Sequence, residues 1–423
     1  MASNLGSPAP ASLVERYDRV RAATLALAEP LSPEDMVAQS RTEASPVKWH
    51  LGHTTWFFER FFLPAAGAAA EPFDPAFDHL FNSYYESAGT MHPRPKRGLL
   101  TRPSGERVQA YRRAVDERVR TVLARGSPGP RARHVLEVGL AHEEQHQELI
   151  LTDVFDLLSA HPLPQVYEPA DLGQAPPVRP LRWLRHDGGL VEVGAGTEGF
   201  SYDNERPRHR VWLRPFALAD RLVTCGEYLR FMEDGGYRRF ELWLSEGWAF
   251  VRARGIEAPG DFRRDGDRWV RRTLHGEVPV RPSDPVTCVS LYEAAAYAAW
   301  AGARLPTEFE WEAVASAHAG ERVTGHFADR RPRLPLAPAG GATQLFGDAW
   351  EWTQSAYAPY PGFRPDDGPL FEYNGKFMCN QYVLRGGSFA TPPGHVRPSY
   401  RNFFPADCRY QFTGIRLARD EPA

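Results

Sequence analysis

Two histidines four residues apart, in His142-Glu-Glu-Gln-His146, form the strongest chemical signal in the chain. On a helix that spacing puts both imidazoles on one face about one turn apart, close enough to share a metal ion. The flanking residues fit a helix: Val135, Val138, His142, His146 and Leu149 fall on one stripe, with Arg, Glu and Gln elsewhere. The plainer reading is two satisfied polar residues at a helix edge, but imidazoles on the apolar stripe of a bundle helix are costly unless something pairs them. The string also reads HExxH, in which Glu143 would be the general base of a metalloprotease. A protease wants a third ligand downstream, where this chain offers only a proline-rich stretch with Glu168, a poor candidate. A better third ligand stands upstream, in Ser45-Pro-Val-Lys-Trp-His50-Leu-Gly-His53. His53 falls a turn into a helix that starts after Pro46; His50, three residues earlier, is the competing choice and could only be a neighbour or an outer partner. Three neutral imidazoles on one face of a metal leave the rest open, which suits oxygen activation on ferrous iron or a zinc-bound nucleophile. Geometry alone does not choose between the two.

Between these ligands lie Phe81-Asn-Ser-Tyr84-Tyr85-Glu86 and Met91-His-Pro-Arg94-Pro-Lys96-Arg97-Gly98. Adjacent tyrosines are often packing, yet beside an open metal site a phenol can deliver a proton or a hydrogen atom. The Arg/Lys cluster reads first as a solvated face. Stiffened by proline and following the tyrosines, it could instead offer a fork to a substrate carboxylate.

The elements that must position these groups follow from periodicity. Residues 11–29, 47–63, 105–125 and 132–159 carry apolar residues at helical spacing with few breakers, which predicts a helical bundle over the first 160 residues. From Ser159 to Arg182 six prolines forbid regular structure, so 161–182 reads as a linker. Residues 183–423 then run as short stretches punctuated by Gly, Pro and Asn, with one good helix at Leu291–Gly302 and a polar excursion from Glu233 to Pro285. That half reads as mixed, irregular and loop-heavy. The length of 423 residues suits two domains, and 42% hydrophobic with 24% charged residues is ordinary for a soluble globular chain. With 50 basic and 53 acidic side chains, charge argues for neither nucleic acid nor membrane. No apolar run reaches the roughly 18 residues that span a bilayer. The first 19 residues lack the pattern of a signal peptide, and four scattered cysteines form no CxxC pair, which together favour the cytoplasm.

His53, the His142-xxx-His146 pair and the helices around them resemble the DinB-like fold, a four-helix bundle with a three-histidine metal site. Asn204-Glu-Arg-Pro-Arg-His-Arg-Val211, Arg304-Leu-Pro-Thr-Glu-Phe-Glu-Trp-Glu312, Gly347-Asp-Ala-Trp-Glu-Trp-Thr353 and Leu384-Arg-Gly-Gly-Ser388 are similar to the formylglycine-generating (sulfatase-modifying) domain, with its C-type-lectin-like mixed α/β core. The expected fold is therefore α+β. That family's own activity relies on a C-terminal cysteine pair, and the corresponding Arg397-Pro-Ser-Tyr-Arg-Asn402 has no cysteine, so the fold is kept without its chemistry.

The two halves together resemble the ergothioneine-biosynthesis sulfoxide synthases, which use non-haem iron(II) and O2 to join a cysteine-type thiol to hercynine and form the sulfoxide. The resemblance implies His53, His142 and His146 as iron ligands and Gln145 as a hydrogen-bond partner of the hercynine imidazole. It implies Tyr84 and Tyr85 as active-site phenols, and Arg94 and Arg97 as holders of a cysteine carboxylate, as in the branch using free cysteine. Asn402, Phe403 and Phe404 would close the hercynine side, where aromatic faces suit a quaternary ammonium. The γ-glutamylcysteine branch is expected to carry an acidic residue where Phe404 stands. A selenosugar donor, a zinc-dependent DinB-like thiol S-transferase, the HExxH peptidase and a non-catalytic binding module stay as competing readings.

Overall fold

The computed structural model describes residues 12–320, 323–337 and 343–422, so residue 11, where the first helix was expected to start, lies outside it with the rest of the N-terminal stretch. The chain divides into two units, Met1–Ile150 and Leu151–Ala423.

Four long helical segments build the first unit. Helix α1 (Leu13–Ala28) opens on a capping box in which Ser12 and Glu15 satisfy each other's backbone amides. Helix α2 (Val47–Phe57) passes through a π-helical turn at Phe58–Phe62 into α3 (Leu63–Ala65). A short α4 (Phe77–Phe81) precedes α5 (Gly105–Ala124) and the 31-residue α6 (Pro130–Ala160). The expected helices thus stand within a few residues of their sequence bounds; the π turn was not foreseen. Proline opens α6, where its missing N–H costs nothing. Tyr17, Val20, Phe57, Phe58, Val108, Tyr111, Val115, Leu136 and Leu140 fill the core. Each large apolar side chain so buried contributes about 1.5–3 kcal/mol.

No regular helix or strand occurs in 161–182, as the prolines require. The second unit holds β1 (Trp183–His186), β2 (Gly189–Val193), β3 (His209–Leu213), β4 (Phe216–Ala219), α7 (Cys225–Glu233), α8 (Ser245–Arg254), β5 (Phe262–Asp265), β6 (Arg268–Thr273), β7 (Gly276–Pro279), α9 (Leu291–Trp300), α10 (Glu308–His318), β8 (Trp350–Ala356), β9 (Tyr382–Arg385), β10 (Asn402–Phe404), β11 (Thr413–Gly414) and β12 (Ala418–Asp420). These strands form four small sheets, ordered β1-β4-β12, β10-β9-β8-β11, β2-β3 and β5-β6-β7. Pairing is antiparallel except for β11 on β8.

Sequence periodicity predicts one helix here, and the structure corrects that: α7, α8 and α10 join α9 among the described residues. Two of the three announce themselves by capping boxes, Thr224 with Glu227 and Thr307 with Glu310. The expected polar excursion contains α8 and the β5-β6-β7 sheet. No described helix is long and apolar enough to cross a membrane.

Candidate metal centre

Helix α2 is buried on every side, and the carbonyl of Pro46 starts it by accepting from the Trp49 and His50 amides. Two glycines let neighbours come close. A Cβ on Gly52 would sit 2.3 Å from the Phe81 ring, and one on Gly139 of α6 would sit 2.7 Å from Phe58 and 3.0 Å from Phe57. Glycine at 52 therefore lets the end of α4 lie against α2, and glycine at 139 lets α6 approach the aromatic end of α2.

That approach brings three histidines together. His53, His142 and His146 each offer a nitrogen, and these atoms all lie within 4.8 Å of one another. His53 Nε2 is 3.1 Å from His142 Nε2, while His53 Nδ1 is 2.6 Å from the Phe81 carbonyl oxygen. A carbonyl only accepts, so Nδ1 of His53 carries the proton and Nε2 keeps the lone pair that a metal needs. His146 Nδ1 lies 2.7 Å from His50 Nδ1. Of the two neighbouring histidines, His53 stands in the cluster and His50 lies against His146. The His53 ring is stacked between Trp49, at 4.6 Å, and Trp56, at 5.8 Å.

Burial pushes all three imidazoles toward the neutral form. His142 is lowered to about 3. His53 and His146 fall well below the ordinary histidine range, through burial and then the neighbouring His142. Neutral imidazoles with converging nitrogens, that of His53 fixed in its tautomer by the Phe81 carbonyl, are a fitting donor set for a first-row metal such as iron, zinc, copper or nickel.

Glu143 points elsewhere. Its carboxylate accepts from Arg21 at 2.8 Å, from Thr24 Oγ1 at 2.7 Å and from Arg112. Burial alone would raise this carboxyl, but Arg112 and Arg21 outweigh it and hold it at about 2. Arg21 also reaches Asp116 and Thr55, and Arg112 reaches Thr54, the residue after His53. This network ties α1, α2, α5 and α6 together behind the histidines. A general base held by two guanidiniums cannot activate water at the metal, so the peptidase reading fails on the direction of Glu143.

The tyrosines stand near the aromatic collar of the three histidines. Tyr85 is buried against Trp56, Phe57 and Phe61, and Phe57 in turn packs on His142 at 4.8 Å. Tyr84 stacks on Tyr85 at 4.6 Å, with the two hydroxyls 3.5 Å apart. Asn82 fixes this loop, its side chain donating to the carbonyls of Tyr85 and Gly89 and accepting from the Tyr85 amide. Of the two arginines, Arg97 is buried, with its guanidinium 3.4 Å from the centre of the Trp49 ring and a bond to Ser45, while Arg94 is exposed. Gln145 is half-buried on α6 next to His146.

In the second unit Phe403 stacks on Tyr357 at 4.0 Å, and the Asn402 side chain accepts from the Phe403 amide. Phe404 pairs with Tyr382 in the sheet and is half-buried. Cys225, Cys288 and Cys408 are buried free thiols and Cys379 is an exposed one. Sequence reasoning missed Trp49, the Phe81 carbonyl and the Arg21–Arg112 pair. The interior glycines at 52 and 139 were the available signal for close packing.

Comparison with known proteins agrees with both halves. Residues 16–150 match the DinB superfamily, and residues 174–333 and 325–421 match the sulfatase-modifying factor enzyme 1-like domain. A protein of Mycolicibacterium smegmatis named hercynine oxygenase is 35% identical over 440 residues, covering 97% of this chain and 99% of that one. Its namesake in Mycobacterium tuberculosis is 35% identical over 437 residues with the same coverage. A formylglycine-generating enzyme of Streptomyces coelicolor is 29% identical over 283 residues, 56% of this chain and 88% of that one.

Proposed function

Since the chain belongs to the hercynine oxygenase family of ergothioneine biosynthesis, we propose that it is an iron(II)-dependent sulfoxide synthase that joins hercynine to cysteine. The observation that carries this reading is the buried cluster of His53, His142 and His146 in a chain related along its whole length to such oxygenases. In the overall reaction hercynine loses its imidazole C–H hydrogen and cysteine its S–H hydrogen. One C–S bond forms, one oxygen atom of O2 ends on sulfur, and the other leaves as water with both hydrogens. Bound by the three imidazoles, iron(II) supplies oxygen activation and an anchor for the thiolate.

The chain's own residues orient and protonate. Gln145 donates or accepts at the hercynine imidazole. Arg97, buried beside Trp49, holds the cysteine carboxylate, and Arg94 on the same turn adds charge from the solvent side. From the second unit, Asn402, Phe403 and Phe404 are the proposed contacts for hercynine, whose trimethylammonium suits aromatic faces. The stacked phenols of Tyr84 and Tyr85 hold the proton that steers the reaction toward C–S bond formation and away from cysteine sulfinic acid.

The test is anaerobic reconstitution with iron(II), then oxygen uptake with hercynine and cysteine, with products identified by mass spectrometry. Hercynylcysteine sulfoxide is the expected product. Uptake that yields a hercynine conjugate only with γ-glutamylcysteine (the γ-glutamyl C–S product) or with a selenosugar (a C–Se product) overturns the donor, and no uptake with any donor overturns the oxygenase chemistry. Tyr84→Phe and Tyr85→Phe are each measured for sulfinic acid, and the phenol assignment fails if neither raises it.

A further inference from the structure

We propose that His50 is a positioning residue of the metal centre: it accepts the Nδ1–H of His146 and so commits His146 to bind metal through Nε2. The inference rests on the three-histidine metal reading and on no particular metal. A neutral imidazole has one N–H and one lone pair, so each ligand's metal-facing nitrogen is chosen by where its proton goes.

For His53 the choice is made by the Phe81 carbonyl, which can only accept. For His146 the facing atom is another ring nitrogen, His50 Nδ1, at 2.7 Å. Two ring nitrogens that close must share one proton. With the proton on His50, His146 would accept at Nδ1, carry its hydrogen on Nε2 and lose its ligating lone pair. With the proton on His146, Nε2 is free to bind and His50 carries its own hydrogen on Nε2. Metal binding requires the second arrangement, and a preset acceptor supports it before the metal arrives.

The placement of His50 makes this more than a chance contact. It stands one turn before His53 on α2, so a single helix supplies one ligand and the orienting group of another. Both rings are buried, and they meet edge to face at 5.0 Å, so bulk water does not compete freely for the bond. His50 lies outside the cluster of converging nitrogens, which makes it a partner rather than a fourth ligand.

The test uses the full-length protein and cobalt(II) or zinc(II) titration under anaerobic conditions. His50→Ala is expected to weaken metal affinity about 10–100-fold, the range for losing an outer-shell partner. His50→Gln, whose side-chain oxygen can accept the same proton, is expected to recover most of that loss. Long-range ¹⁵N–¹H spectra of the zinc-loaded unmutated protein are expected to show His146 protonated on Nδ1; this measurement needs no variant to fold. Protonation on Nε2, or unchanged affinity in a folded His50→Ala protein, overturns the proposal while leaving the metal centre intact. An unmutated protein that takes up neither ion overturns the metal reading itself.

Discussion

The two units bury polar groups to opposite ends. In the second unit each of the main buried carboxylates meets guanidinium: Glu351 meets Arg416, Glu308 meets Arg385 and Arg401, and Glu205 meets Arg397. Trp311 and Tyr360 complete the first two by donating to the same carboxylates. Such clusters pair each of these carboxylates with a guanidinium from within the unit. Among its described residues the first unit has a cluster of this kind, Glu143 with Arg21 and Arg112, and beside it on α6 another made only of imidazoles. Those nitrogens converge on one another with no carboxylate among them. Buried charge that is fully matched is scaffold, whereas buried lone pairs that converge call for a Lewis acid.

The contrast breaks first at the metal. His142→Ala is expected to abolish stable metal binding and with it turnover, well beyond the ~10–100-fold cost of losing an outer partner. Metal content after reconstitution checks this, and the apo-protein's circular dichroism should be unchanged. Glu143→Gln should act on the fold instead, costing about 3–5 kcal/mol by leaving the buried Arg112 guanidinium without its carboxylate and Arg21 with that of Asp116 alone. A denaturant midpoint measures it, and a stable but inactive Glu143→Gln protein would restore the base role rejected above. Glu351→Gln should be comparably destabilising because Arg416 loses its partner, yet metal affinity per folded molecule should be unchanged.

A smaller effect follows in pH. Burial would raise the Glu227 carboxyl, but the bonds from Arg221 and the Thr224 amide outweigh it and hold it below its ordinary value of 4.5. The folded state therefore binds that proton more weakly than the unfolded state. Its contribution is full above about pH 4.5 and fades as pH falls below that. Glu227→Gln should flatten this part of the acid-stability profile. At the bottom of the scale, Glu192→Gln, which breaks the exposed pair with Arg208, should change stability by no more than about 1 kcal/mol.

How far the sequence went differs between the same two regions, for a physical reason. The bundle was legible because long amphipathic helices repeat one signal many times, and two of the three clustered histidines, His142 and His146, sat on that signal at a spacing of four. The direction of Glu143 was not legible: an HExxH helix has the same geometry whether or not its glutamate serves a metal, and the Arg21 and Arg112 that hold it here stand far off in the sequence. Arg94 and Arg97 could not be separated, since in a short proline-rich turn nothing periodic says which guanidinium goes in. In the second unit α7 and α10 are one helical motif each, too short for periodicity to speak over their loops, though Thr224 and Thr307 marked their starts. The π turn at Phe58–Phe62 leaves no mark in a run of aromatics.

Around the metal centre the two orienting acceptors differ in what heredity can do to them. His50 is a side chain, and a single codon change deletes it. The acceptor for His53 is the main chain of Phe81, which every residue at that position would supply. Mutation reaches it only by moving the backbone, and the residue best placed to do so is Gly52, where a single methyl group would strike the Phe81 ring. A position with no side chain thus becomes a fine adjustment on the basicity of the His53 imidazole, and a place where drift could retune this cluster without touching a histidine.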